Sequence, residues 1–174
     1  MPRILLGLSF WNLLFLCTAM TLGWTGAIGR DRHMVVGLFT VTFCLLSHSL
    51  IFLHFLGTGA SVKKAVLDHG LDPEYARKTR RYKLKTFPAS MAAMLLTVAA
   101  GGVGGGAGGT DSGVTVAASE VWRALHFWLG AAIIPVNIFA HWIELKWVTQ
   151  NSLMIEEVDT ILIERAERAK TAVS

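Results

Sequence analysis

What this chain has least of is charge. Only 16% of its 174 residues are Asp, Glu, Lys or Arg, while 53% are hydrophobic. Soluble domains carry roughly a quarter charged residues, so an ordinary water-soluble domain is excluded. Cysteine is nearly absent. Cys17 and Cys44 both lie inside apolar runs, where a thiol behaves as a small hydrophobe. A disulfide scaffold and a cysteine-rich metal site are therefore not expected. Buried carboxylates are expected to be missing from the apolar runs and no inverted repeat is visible, which argues against a transporter or channel. No nucleophile stands beside a base, so a stand-alone enzyme has no constellation to work with. The run Gly101-Gly102-Val103-Gly104-Gly105-Gly106-Ala107-Gly108-Gly109 lacks the Lys-Ser/Thr ending of a phosphate loop. The net charge of +4 is concentrated in one segment, so it bears on topology rather than on nucleic acid.

Against these absences stand four long apolar runs. Residues 4–24 read as a first transmembrane helix, retained rather than removed as a leader, with Asn12 its only strongly polar residue. Trp24 sits where an interfacial anchor belongs. The second run covers about 34–56, with Gly57 and Gly59 expected to stop it. A basic segment, 57–86, follows with Lys63, Lys64, Arg77, Lys78, Arg80, Arg81, Lys83 and Lys85. Its Arg77, Arg80, Arg81 and Lys85 could meet anionic headgroups, but their main effect is orientation. Within it Gly70 breaks a helix, and Asp72-Pro73-Glu74 starts another with Asp72 as cap. The third run, 87–103, is expected to dissolve into a glycine-rich loop. The fourth covers 121–147, with Ser119 as N-cap, a kink at Pro135, and Asn137 close enough to serve freed carbonyls. Trp122, Trp128, Trp142 and Trp147 stand at its ends.

Beyond residue 150, Ile155, Val158, Leu162, Ala166 and Ala169 share one helical face, which predicts a cytoplasmic amphipathic helix resting on the membrane or on a partner. The fold expected is all-α: an integral-membrane four-helix bundle over 1–150 and an amphipathic tail over 151–174. A basic loop between the second and third helices marks the cytoplasmic side. Both termini are then cytoplasmic, and a bacterial inner membrane is the expected location.

This topology makes the second and fourth helices parallel, which gives meaning to their histidines. His33 and His48 are fifteen positions apart, and so are His126 and His141. Fifteen residues rise about 22 Å and turn the helix to within roughly 60° of the same face. Both pairs can therefore look into the bundle at matching depths, as axial ligation of haem requires. His54 lies about 9 Å deeper than His48 and is a substitute inner ligand. Neutral imidazoles also hydrogen-bond across helices, with Ser47, Ser49, Thr40 and Asn137 in reach.

The order of the helices and the spacing of His33, His48, His126 and His141 resemble the di-haem cytochrome b proteins. There the second and fourth helices of a four-helix bundle supply histidine pairs. The resemblance implies one or two b haems, with these four histidines as axial ligands to iron and electrons passed across the membrane. Quinone and a larger redox complex are the partners implied. Gly7 and Gly23 are candidates for making room for a porphyrin. Depth favours His48 (or His54) with His141 if only one haem is held, because His33 directly follows Arg30-Asp31-Arg32.

A third feature is His141-x-x-Glu144, a spacing that can hold a non-haem metal on a helix. A second such motif is missing, and Glu144 is expected instead to snorkel to the interface or pair with Lys146. The competing function is a cofactor-free accessory subunit that docks on a membrane complex through its tail.

Overall fold

The computed structural model describes residues 1–107 and 116–172, and among them every regular element is a helix. These are α1 (Pro2–Thr25), α2 (Arg30–His69), α3 (Glu74–Ala107) and α4 (Val116–Thr171). All four are long and apolar enough to cross a membrane. Phe10, Leu38, Leu53, Leu95 and Phe139 face outwards, while Asn12, His48, Ser90, Asn137 and Glu144 are buried inside. That distribution suits an apolar surround, where helices gain little by hiding leucine and associate through packing and polar contacts.

The helices outrun the apolar stretches that seeded them. At 40 residues, α2 is about 60 Å long, roughly twice a bilayer's hydrocarbon core. Gly57 and Gly59 do not stop it. A Cβ on Gly59 would lie 3.1 Å from Thr79 Cγ2, so this glycine admits a close approach of α3. The stop is Gly70, left-handed at φ 58°, whose N–H donates to Val66 O. Asp72 then caps α3 as expected, accepting the Glu74 N–H at 2.7 Å. The basic segment is thus the projecting ends of α2 and α3 around a short turn, not a loop.

The glycine run also departs from expectation. Helix α3 continues through Gly101, Gly102, Gly104 and Gly105 to Ala107. Glycine is a poor helix former by itself, and here packing outweighs that cost. A Cβ on Gly101 would lie 3.1 Å from Val41 Cγ2, and one on Gly104 would strike the His126 ring. The rest of the run falls outside the described residues. Ser119 is no N-cap, because α4 begins at Val116.

The expected separate tail is the unbroken end of α4, and its apolar face is already used. Met154 and Val158 are buried. Thr79 donates to Asn151 Oδ1 at 3.1 Å, Tyr75 donates to Glu157 at 2.7 Å, and Arg165 donates to the His69 carbonyl at 2.6 Å. The tail therefore docks on the projecting ends of α2 and α3 of its own chain.

Each of α2 and α4 touches α1 and α3, and the two also meet each other across the bundle. One apolar cluster joins Leu5, Ile51, Phe55 and Val148; a second joins Leu16, Ala100 and Ile133. Between them lies a band of polar side chains.

Candidate functional site: a carboxylate–histidine centre and an outer histidine pair

The fourfold pattern of histidines is realised at two levels. The ring of His33 faces His126, and the ring of His48 faces His141. Matching order at both levels makes α2 and α4 parallel, as the topology argument required. The two levels are nonetheless built differently.

At the inner level the rings of His48 and His141 stack, with centroids 4.7 Å apart and planes 13° from parallel. Glu144, with no solvent exposure, bridges them. Its Oε1 is 2.6 Å from His48 Nδ1 and its Oε2 is 2.8 Å from His141 Nδ1. Ser90 of α3 donates to the same Oε1 at 2.5 Å. Glu144 therefore neither snorkels nor pairs with Lys146, and the expectation that the spans hold no buried carboxylate fails here. The turn from His141 to Glu144 places both side chains on the inner face of α4.

The far nitrogens of both rings end on asparagine amides. His48 Nε2 is 3.0 Å from Asn137 Oδ1, and His141 Nε2 is 2.8 Å from Asn12 Nδ2. These bonds fix where the protons sit. Asn137 Nδ2 donates to the Ile133 carbonyl at 3.0 Å, so its oxygen faces inward. That carbonyl is one that Pro135 leaves in place, not the one it frees. The inward oxygen accepts from Asn12 Nδ2 at 3.0 Å and from Cys44 Sγ at 3.3 Å. His48 Nε2 must then carry a hydrogen. Asn12 spends its second N–H on His141, so His141 Nε2 holds the lone pair and its Nδ1–H donates to Glu144. One further proton lies between His48 Nδ1 and Glu144. Asn12 Oδ1, although buried, is left without a donor.

Asn12 from α1, Cys44 and His48 from α2, Ser90 from α3, and Asn137, His141 and Glu144 from α4 thus form one centre. Sequence reasoning found its histidines but missed Asn12, Ser90 and Cys44 as members. The available signal was a strongly polar residue in each span, since such residues are costly in lipid.

The outer level is looser, and its histidines are half-buried. The rings of His33 and His126 have centroids 6.1 Å apart at 73°. His126 Nδ1 donates to the Ala100 carbonyl at 2.9 Å, which leaves the lone pair on Nε2. His33 Nδ1 is buried with no partner. Each ring lies on a glycine of the preceding helix. A Cβ on Gly23 would come within 2.6 Å of His33 Cε1, and one on Gly104 within 2.6 Å of His126 Cε1. Gly7, the other glycine proposed to make room, has open space beside it. His54 belongs to neither level: its Nε2 is 3.4 Å from Asn151 Nδ2, beside Thr58.

The two levels differ in their fit to haem. A metal with imidazole nitrogens about 2 Å away on either side holds the ring centroids roughly 6 Å apart, as at the outer pair. A second-sphere carbonyl on Nδ1 is what orients such a ligand, and Ala100 supplies it. The inner rings are stacked, with both Nδ1 atoms on one carboxylate and both Nε2 atoms on amides. That arrangement does not suit opposed axial ligation. By ring spacing the outer pair, rather than the deeper inner pair, is the better match to such a ligand pair. Comparison with protein-family models, with characterised proteins and with solved structures finds no match to this chain.

Proposed function

We propose that this chain is a membrane-spanning, b-type haem-binding subunit that passes electrons within the bilayer as part of a larger redox complex. His33 and His126 are its axial pair. The observation that carries this reading is the outer pair itself: two rings 6.1 Å apart, one with its tautomer fixed by the Ala100 carbonyl, both set against glycines. Haem supplies reversible one-electron chemistry, and everything else falls to the chain. Ala100 orients His126 and makes it a better donor. Gly23 and Gly104 let α1 and α3 close on the rings. Trp24 and Phe127, the chain neighbours of Gly23 and His126, meet edge-to-face at 6.3 Å. In this reading the basic ends of α2 and α3 lie on the cytoplasmic side. The outer pair then sits near the opposite face, where a quinone or a partner subunit exchanges electrons with it.

The test is a pyridine haemochrome spectrum of the full chain purified in mild detergent. About one b haem per chain is expected, lost in His33→Ala and His126→Ala and retained in His54→Ala. A wild-type chain without b haem, under conditions that retain cofactors, overturns the proposal in favour of a cofactor-free accessory subunit. Haem that survives both outer substitutions overturns the ligand assignment.

A further inference from the structure

The outer pair leaves the inner centre without a role, and the inner centre is the most polar part of the bundle. We infer that His48, His141 and Glu144 form a binding site for a divalent first-row transition ion, separate from the haem. One nitrogen from each histidine and one carboxylate oxygen lie within 4.8 Å of one another, and all three residues are buried. Two imidazoles and a carboxylate are the donor set of open three-ligand sites for zinc and its neighbours. The ligands come from two helices, with His141 and Glu144 spaced i, i+3, so both present their donor atoms to one point.

The surroundings supply what such a site needs next. A metal-bound histidine donates its other ring N–H to a fixed acceptor. His48 already does so, to Asn137 Oδ1 at 3.0 Å. His141 does not, because Asn12 Nδ2 faces its Nε2. Binding a metal through Nδ1 moves the His141 proton to Nε2, which then needs an acceptor. Turning the Asn12 amide over presents Oδ1, the one oxygen of the centre that has no donor, and gives up the Asn12–Asn137 bond, leaving Asn137 Oδ1 to accept from His48 and Cys44. Ser90, bonded to Glu144 Oε1 at 2.5 Å, holds the carboxylate in place. Binding therefore releases one proton, the one between His48 and Glu144. It leaves a coordination position open for water or hydroxide.

Cobalt(II) is the probe, because it fills zinc-type sites and its visible absorption reports coordination. The full chain in detergent, freed of metal by chelator and dialysed against Co2+, is expected to hold about one Co2+ with visible d–d bands. Glu144→Gln and His141→Gln are expected to weaken binding at least ten-fold, and Asn137→Ala about ten-fold through its second-sphere role. His33→Ala and His126→Ala should leave Co2+ binding unchanged, whatever their haem content. Wild-type protein that takes up no stoichiometric Co2+ overturns the inference, and this does not depend on how any variant folds. So does equal uptake by Glu144→Gln, or uptake that follows the outer histidines. The haem assignment stands or falls separately, on the haemochrome.

Discussion

His48 Nδ1 lies 2.6 Å from Glu144 Oε1, and neither side chain has any exposed surface. This contact joins α2 to α4 across the middle of the bundle. It also explains why an ionisable residue is kept in an apolar stretch. A lone carboxylate there would cost about 2.5–3.5 kcal/mol or more. Two imidazoles and a serine hydroxyl replace the water it has lost.

Removing both partners should therefore hurt less than the two single removals added together. Glu144→Ala strands two imidazoles, and breaking a buried pair costs about 3–5 kcal/mol. His48→Ala should cost a comparable amount. The double variant is expected to lose less than the sum, with a coupling of about 1–3 kcal/mol. Reversible unfolding in detergent, read by circular dichroism, measures all three. Additive losses would show that the contact contributes nothing of its own.

The same centre shows what could be read in advance and what could not. Helix number and class were legible because each apolar run is about long enough to cross a bilayer's hydrocarbon core. Parallel α2 and α4 followed from the number of crossings, and the spacing of histidines placed His33 opposite His126 and His48 opposite His141. Helix ends were not legible. Gly59 and Gly104 read as breakers, but each fills a tight contact that only the packed bundle reveals. The fate of Glu144 was hidden for a similar reason. Its position near the end of an apolar run suggests an interface, yet α4 runs on to Thr171 and places it in mid-bundle. Asn12 and Ser90 were visible as polar residues, but which ring or carboxylate they meet depends on how α1 and α3 rotate about their axes.

Tyr75 and Glu157 give a prediction outside the apolar stretches. The phenol donates to the Glu157 carboxylate at 2.7 Å, and that bond raises the Tyr75 pKa above its usual value of 10.0. The bond requires the protonated phenol. Its contribution is complete below the ordinary tyrosine pKa and disappears as pH rises through the raised value. With Tyr82→Phe as background, the phenolate absorbance of Tyr75 should titrate above pH 10. Glu157→Gln should bring the midpoint down. An unchanged midpoint would mean that the carboxylate does not hold the proton.

The tail should behave as part of the bundle rather than as a free docking arm. Met154 and Val158 are 4% and 3% exposed, and they lie against the projecting ends of α2 and α3. Met154→Ala should cost about 2–5 kcal/mol, the range for truncating a buried methionine. Hydrogen exchange should quicken at residues 60–69 and 74–82, which the tail covers. Exchange there that ignores the substitution would return the tail to the role of a partner-binding arm.

Gly23 and Gly104 offer the sharpest separation of the two levels. A Cβ at either position would meet an imidazole carbon at 2.6 Å, closer than side chains tolerate, so α1 or α3 must move away or the ring must turn. Gly104→Val should therefore lower haem content several-fold while leaving the His48–Glu144–His141 centre in place. Gly7→Val, with open space around it, should leave haem untouched. Gly23→Val acts on His33 and should resemble Gly104→Val. Haem content by haemochrome, and Co2+ content of the same preparations, give the two readings side by side. If Gly104→Val and Gly7→Val retain haem equally, the close fit of the glycine to the outer pair has no part in binding it.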